Sequence, residues 1–133
     1  MNLKNILVGI EGIKAKGEID RDVTTVENDS RNCKEGSMFI AIKGFSVDGT
    51  EYIDSAIANG AKVILVDYEC DLKSLKIPAD VTLVVVPDAR KAMAICACNY
   101  YDNPSEKIRL IGVTGTKGKT TTTFMMKEIF EKI

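Results

Sequence analysis

The residues best suited to do chemistry lie at positions 114–121, where glycine alternates with threonine and lysine. An apolar run at 110–113 precedes them and predicts a buried strand, and a helical pattern begins at Phe124. This order of strand, glycine-rich turn, Gly-Lys-Thr and helix is typical of a phosphate-binding loop. Glycines let the backbone approach an anion closely, and the free N–H groups at a helix start attract one. We therefore predict that Lys119 contacts the β- and γ-phosphates of a nucleotide and that the Thr120 hydroxyl binds Mg²⁺.

The loop departs from the strict Gly-x-x-x-x-Gly-Lys-Ser/Thr pattern, because Val113 stands five positions before Gly118. The form present is Gly-x-x-Gly-x-x-Gly-Lys-Thr. A glycine-rich turn with a surface lysine is the simpler interpretation. The phosphate-binding interpretation is favoured because Gly-Lys-Thr has a predicted strand before it and a predicted helix after it.

The elements that must position this loop alternate between strands and helices along the chain. Asp88 is a plausible helix N-cap, and Gly60 suits the position just after a helix. Alternating strands and helices predict an α/β fold with a largely parallel sheet and flanking helices. The predicted helices span residues 2–10, 51–59 and 89–101, and the predicted strands span 23–26, 38–42, 63–66 and 81–86.

We expect a boundary near Pro104, which gives a first domain at 1–104 and a second at 105–133. The second segment comprises one predicted strand, one loop and one helix. We interpret it as the first β–loop–α unit of a truncated nucleotide-binding domain, because an open α/β domain needs several strands to bury its sheet.

Composition limits the class of protein. The 133 residues are 45% hydrophobic and 28% charged, with a net charge of -1, so no excess of positive charge favours nucleic acid or an anionic membrane. The apolar runs are too short to span a bilayer or to form a convincing signal peptide, so we expect a cytoplasmic protein. Four cysteines without a Cys-x-x-Cys pair, and no histidine, argue against a zinc site and favour reduced thiols that fill the core.

The loop resembles the nucleotide loop of the Mur ligase family, the ATP-dependent ligases that build the peptide of bacterial cell-wall precursors. Their loop reads Thr-Gly-Thr-x-Gly-Lys-Thr, and residues 114–120 match it, with Lys117 at the open position. A second group of motifs resembles the first domain of the family's tripeptide synthetases. That group comprises Asp29-Ser30-Arg31, Gly36, Phe39, Ala41, Lys43-Gly44, Asp48-Gly49, Ala56, Gly60-Ala61, the Asp-Ala-Arg-x-Ala-Met-Ala run at 88–94, Tyr101 and Pro104-Ser105.

The resemblance implies a UDP-sugar-binding first domain and an ATP-binding second one. Thr50 departs from the family, which usually has histidine after Asp-Gly, so no role is carried onto it. A turn with a local ion pair at Asp29-Ser30-Arg31 is the alternative that residue chemistry alone allows. The implied contacts with UDP-N-acetylmuramic acid are Asn28, Ser30, Phe45, Ser46 and Val47; those with ATP are Gly115, Thr116, Lys117, Gly118, Lys119, Thr120 and Thr121, with Lys119 as the catalytic residue and Thr120 as the Mg²⁺ ligand.

The implied reaction adds meso-diaminopimelate or L-lysine to UDP-N-acetylmuramoyl-L-alanyl-D-glutamate through an acyl phosphate. The partners are then this UDP-linked dipeptide and a diamino acid, in an enzyme that is monomeric at full length. We expect the 133-residue chain to be inactive by itself. Two other functions stay open: a stand-alone UDP-sugar-binding module with a vestigial nucleotide loop, and a fragment of another Mur-type ATP ligase or of a phosphate-loop NTPase.

Overall fold

The computed structural model describes residues 1–44 and 47–133, which form two compact units, Met1–Asn103 and Pro104–Ile133. The first unit is built on a five-stranded sheet with the order β1-β5-β4-β3-β2. Strands β2 to β5 are parallel, and β1 runs antiparallel to β5 at the edge. The strands are β1 Lys14–Lys16, β2 Val26–Glu27, β3 Ser37–Ile40, β4 Ala61–Asp67 and β5 Thr82–Val86; the helices are α1 Leu3–Ile6, α2 Ile53–Ala58, α3 Ala89–Tyr100 and, in the second unit, α4 Lys119–Glu131.

The central strands are buried on both faces of the sheet, which explains their unbroken apolar sequences. One face packs against α1 and α3, with Met38, Leu65 and Val84 among the buried side chains. The other face packs against α2, with Phe39 and Ile64 among the buried side chains of that layer. The first unit therefore has helices on both faces of a largely parallel sheet, as the sequence predicts.

Two residues that the sequence singles out as helix-end signals lie at helix ends in the structure. Asp88 caps α3, since its side chain accepts a hydrogen bond of 2.9 Å from the Lys91 amide. Gly60 follows the C-cap of α2 and adopts φ +105°. Short 3₁₀ turns at Ser30–Asn32 and Gly49–Tyr52 follow β2 and precede α2, respectively.

Other predicted elements differ from the structure. The helix predicted at 2–10 covers only Leu3–Ile6, and the strand predicted at 23–26 is confined to Val26–Glu27, since only those two residues pair with β3. The sequence does not predict strand β1, because its three residues are exposed and carry no apolar pattern. This strand exists through its pairing with β5.

The second unit contains α4 but lacks the predicted strand at 110–113. These residues adopt no regular structure, and Leu110 is 73% exposed. The prediction is wrong for this segment because a strand needs a paired neighbour, and no described residue pairs with it. Most apolar side chains of α4 are exposed as well: Phe124, Met125, Ile129 and, at 60%, Phe130.

The four cysteines are all free thiols. Cys33 and Cys96 are buried, Cys70 is half-buried and Cys98 is exposed. Burial raises the pKa of the Cys96 thiol to about 12, which makes it unreactive.

The helices are short relative to a bilayer. Across residues 1–44 and 47–133, no helix combines the length and the apolar character that crossing a membrane requires.

Candidate functional site

The site in the first unit lies where the parallel strands β2 and β3 end. Residues 28–31 follow β2, and the described residues 42–44 and 47–49 follow β3. Parallel neighbours end at the same edge of a sheet, so these two segments are brought side by side. Ligands of open α/β proteins bind at such edges.

Asp29 organises the first segment. Its carboxylate accepts a hydrogen bond of 3.0 Å from the Arg31 amide and caps the 3₁₀ turn at Ser30–Asn32. It also accepts hydrogen bonds of 2.9 Å and 2.6 Å from Nε and a terminal nitrogen of the Arg31 guanidinium. The side-chain hydrogen bonds from Arg31 lower the pKa of Asp29 to about 2. The ion pair considered from the sequence is therefore present, and it holds the turn on which Ser30 lies.

Ser30 is only 5% exposed, yet it is not fully paired. Its backbone carbonyl accepts hydrogen bonds from Asn59 Nδ2 at 2.8 Å and from the Cys33 amide at 3.3 Å. Its hydroxyl makes no hydrogen bond to the described part of the chain, and it is not sealed from solvent. A nearly buried hydroxyl at a strand end, free to donate and accept, is suited to bind an oxygen-rich ligand.

In the second segment, the described residues on either side of positions 45 and 46 lie close together. Lys43 and Asp48 form an antiparallel bridge, and the Gly44 amide donates a 2.8 Å hydrogen bond to the Val47 carbonyl. Gly49 must lack a side chain, because a Cβ there would lie 2.7 Å from backbone atoms of Ile42. Of the predicted contact residues, Val47 belongs to this loop and is exposed, whereas Phe45 and Ser46 lie outside the described residues.

Asp48 fixes the way the loop enters α2. Its carboxylate accepts hydrogen bonds of 2.9 Å from the Thr50 amide and 2.8 Å from the Thr50 hydroxyl. These bonds lower the pKa of Asp48. Thr50, the residue that departs from the family pattern, thus contributes to holding the turn.

A cavity of about 830 Å³ joins the two segments. Asn28, Ser30 and Val47, which the sequence singles out, all line it, so the structure brings these three together. The cavity also has walls that the sequence interpretation missed: Tyr52, Ser55, Arg90 and Met93. The signal that could have identified Arg90 is the Asp-Ala-Arg run at 88–94. That run belongs to the family resemblance, but the sequence alone assigns no function to it.

The predicted phosphate-binding loop of the second unit retains a glycine, a lysine and two hydroxyls at the start of α4, although the strand predicted before it is absent. Gly118 adopts φ +77° immediately before α4, and the space where its Cβ would stand is open. Lys119 folds its ammonium group back to donate a hydrogen bond to the Gly115 carbonyl. The first helical turn carries Thr120 and Thr121, both exposed. The open glycine, the lysine and the hydroxyls at a helix start fit a nucleotide phosphate chain with a bound Mg²⁺.

Comparison with known proteins agrees with the α/β fold. Residues 22–101 match the model of the Mur ligase family, catalytic domain. This match covers more than half of the chain, and the chain therefore belongs to the Mur ligase family. The resemblance inferred from the motifs is confirmed.

Two curated relatives carry the same name, UDP-N-acetylmuramoyl-L-alanyl-D-glutamate--2,6-diaminopimelate ligase. The relative from Clostridium tetani is 46% identical over 132 residues, and that from Clostridium botulinum is 49% identical over 132 residues. Each alignment covers 99% of this chain but 27% of the relative. The chain thus spans about a quarter of the length of these relatives, which are the MurE type of Mur ligase.

Solved structures of the MurF type share the fold. A MurF structure from Acinetobacter baumannii has a TM-score of 0.67 and 26% identity, and the match covers 99% of this chain and 27% of that one. The MurF ligase of Thermotoga maritima, solved in complex with ADP, has a TM-score of 0.56 and 31% identity, over 74% of this chain and 21% of that one.

Proposed function

We propose that this chain is the UDP-sugar-binding and phosphate-loop part of an ATP-dependent MurE-type ligase. Its acceptor would be UDP-N-acetylmuramoyl-L-alanyl-D-glutamate, and the added diamino acid would be 2,6-diaminopimelate, because the relatives are named for it. The observation that carries the proposal is that Ser30, whose hydroxyl has no hydrogen-bond partner among residues 1–44 and 47–133, lines the cavity where the two loops meet. We place the reaction in the cytoplasm, where ATP is available.

The first unit would hold the uridine diphosphate end of the acceptor. The Ser30 hydroxyl would hydrogen-bond an oxygen of the nucleotide, while Asn28 and residues 45–47 would contact uracil and ribose. The Asp29–Arg31 pair and the Asn59 hydrogen bond keep the Ser30 turn in place before the ligand arrives. Such preorganisation lowers the free-energy cost of ordering the site.

The second unit would hold ATP through residues 115–121. Backbone N–H groups at the start of α4 and the Lys119 ammonium would neutralise the phosphates, and Thr120 would bind Mg²⁺. Bound ATP would supply the phosphoryl group that activates the acceptor carboxylate for attack by the amine. The chain's own contribution is positioning and charge neutralisation, so we expect no turnover from the 133 residues alone.

The test of the UDP site is an NMR titration of the 133-residue chain with UDP. We expect shifts in residues 28–31 and 43–49. Ser30→Ala should weaken binding about 10- to 100-fold, since a hydrogen bond to a charged group contributes about 1.5–3 kcal/mol. Ser105→Ala makes the same chemical change outside the cavity and should bind like the wild type. Equal affinities for wild type and Ser30→Ala would refute the assignment.

The phosphate-loop assignment is tested in an enzyme of the relatives' length that contains this sequence. Lys119→Ala should abolish turnover, because the γ-phosphate loses its compensating charge. Lys127→Ala removes an exposed lysine of the same helix, paired with Glu131 at 3.6 Å, and should retain activity. A near-wild-type rate for Lys119→Ala would exclude the proposed role of the loop. ADP release by the 133-residue chain alone would show that fewer parts suffice for the chemistry.

A further inference from the structure

Arg90 occupies a position in the cavity that no part of the proposed function uses. It lies in the first turn of α3, directly after β5, and its side chain lines the same cavity as Ser30. One terminal nitrogen of its guanidinium donates a hydrogen bond of 3.2 Å to the Lys43 carbonyl. Among the described residues, no carboxylate forms an ion pair with it.

The charge balance of the cavity makes Arg90 distinctive. The charged side chains that line the cavity in the described part of the chain are Asp29, Arg31 and Arg90. Asp29 and Arg31 neutralise each other through side-chain hydrogen bonds, of which the shortest is 2.6 Å. Arg90 therefore carries the uncompensated positive charge of the cavity.

A guanidinium group has more donors than Arg90 uses. It offers five N–H donors in a planar fork, and the hydrogen bond to the Lys43 carbonyl occupies one of its nitrogens. The remaining donors match the spacing of two phosphate oxygens, which arginine binds in a bidentate manner. The hydrogen bond also joins the Arg90 side chain to Lys43, two residues before position 45.

We propose that Arg90 binds the diphosphate of the UDP-linked substrate, as the cationic residue of the cavity whose charge no carboxylate of the described residues neutralises. This inference rests on the proposed function and adds a phosphate-binding residue to it. The Ser30 hydroxyl and the Arg90 guanidinium then supply two kinds of donor to one ligand. In the alternative role, Arg90 only holds the loop at Lys43 and never touches the ligand.

The two roles are separated by comparing UDP with uridine, which lacks the diphosphate. The 133-residue chain is titrated with each probe at low ionic strength, as wild type, Arg90→Gln and Arg90→Lys. Lys91→Gln is the control, because it removes one positive charge from the same helical turn, outside this cavity. Circular dichroism and thermal melting show whether each variant is folded.

Direct contact predicts a loss that depends on the diphosphate. Arg90→Gln should weaken UDP binding about 10- to 100-fold, the usual range for a hydrogen bond to a charged group, and leave uridine binding unchanged. Arg90→Lys should lose part of the UDP affinity, and Lys91→Gln should match the wild type. If Arg90→Gln does not fold, the Arg90→Lys comparison of the two probes decides the question.

Other outcomes overturn the proposal. An equal loss for UDP and uridine would mean that Arg90 acts only by holding the loop, and no loss for either probe would mean that it does not contribute. If the wild type binds neither probe, the proposed UDP site itself is wrong. Wild-type binding of UDP that Ser30→Ala weakens and Arg90→Gln does not would retain the site and reject Arg90.

Discussion

Replacement of Gly60 by alanine tests whether the packing behind Ser30 is as tight as the structure indicates. Gly60 follows α2 with φ +105°, a conformation that residues with a side chain rarely adopt. A Cβ there would lie 2.6 Å from the Glu35 amide nitrogen and 2.9 Å from the Lys34 carbonyl carbon. Both neighbours are backbone atoms, so no side chain can rotate away to make room.

Two costs add in the Gly60→Ala variant. The unfavourable φ costs about 1–2 kcal/mol, and forcing backbone apart in a packed region costs about 1–3 kcal/mol more. We therefore expect a loss of about 2–5 kcal/mol in the free energy of unfolding. Since domains of this size have about 5–15 kcal/mol of stability, the variant should remain largely folded.

Gly9→Ala is the matched control, because Gly9 also has a positive φ, +84°, but its Cβ would meet only Ile95 Cγ2 at 3.9 Å. It should show the conformational cost of about 1–2 kcal/mol without the steric cost. Urea denaturation of both variants measures the difference, provided that the slopes agree. The reasoning is refuted if Gly60→Ala is no less stable than Gly9→Ala.

Gly60→Ala should also weaken UDP binding. The backbone that the new Cβ displaces, at residues 34–35, continues directly from the Ser30 turn, and Asn59 beside it holds the Ser30 carbonyl. Gly9→Ala alters a distant turn and should bind UDP normally. A destabilised Gly60→Ala variant with unchanged UDP affinity would show that the turn and the packing behind it are independent.

Three further predictions concern titration, reactivity and order. The folded pKa of Asp29 is about 2, below its usual value of 3.8. The stability that Asp29 contributes is therefore complete above about pH 4 and is lost as the pH falls toward 2. An NMR titration of the Asp29 carboxyl carbon with a midpoint near 3.8 would contradict this. Iodoacetamide should modify the exposed Cys98 in the native chain but Cys96 only after unfolding, and mass spectrometry can show the difference. Equal labelling of both cysteines in the native chain would contradict the burial of Cys96. Amide hydrogens at 108–133 should exchange faster than those of β4, since an isolated helix of this length is marginal in water; strong protection in a monomer would contradict this.

Much of the fold is predictable because the relevant signals are local. The segments that form β3, β4 and β5 are largely apolar, because both faces of the sheet are covered. This pattern can be recognised without knowing which strands pair. Gly60 and Asp88 mark element ends because their effects act within a few residues. The phosphate-binding loop can be predicted for the same reason, since its glycines, its lysine and the helix start are contiguous, and its role stays a prediction.

The cavity could be predicted only in part. Asp29, Ser30 and Arg31 are adjacent, so their turn and ion pair can be inferred from the sequence alone. Arg90 lies about 60 residues away and reaches the same cavity because β5 and β2 belong to one sheet. Convergence of this kind depends on strand order, which no short pattern encodes.

By itself, the sequence determined the α/β class and the family, and it predicted the residues of both candidate loops. Only the tertiary structure decided that exposed Lys14–Lys16 form a strand, that the apolar segment 110–113 does not, and that Arg90 joins Ser30. The physical reason is that a buried segment consists mainly of apolar residues, so burial can be predicted from the residue types of that segment alone. Pairing requires a second segment, whose position no local pattern records.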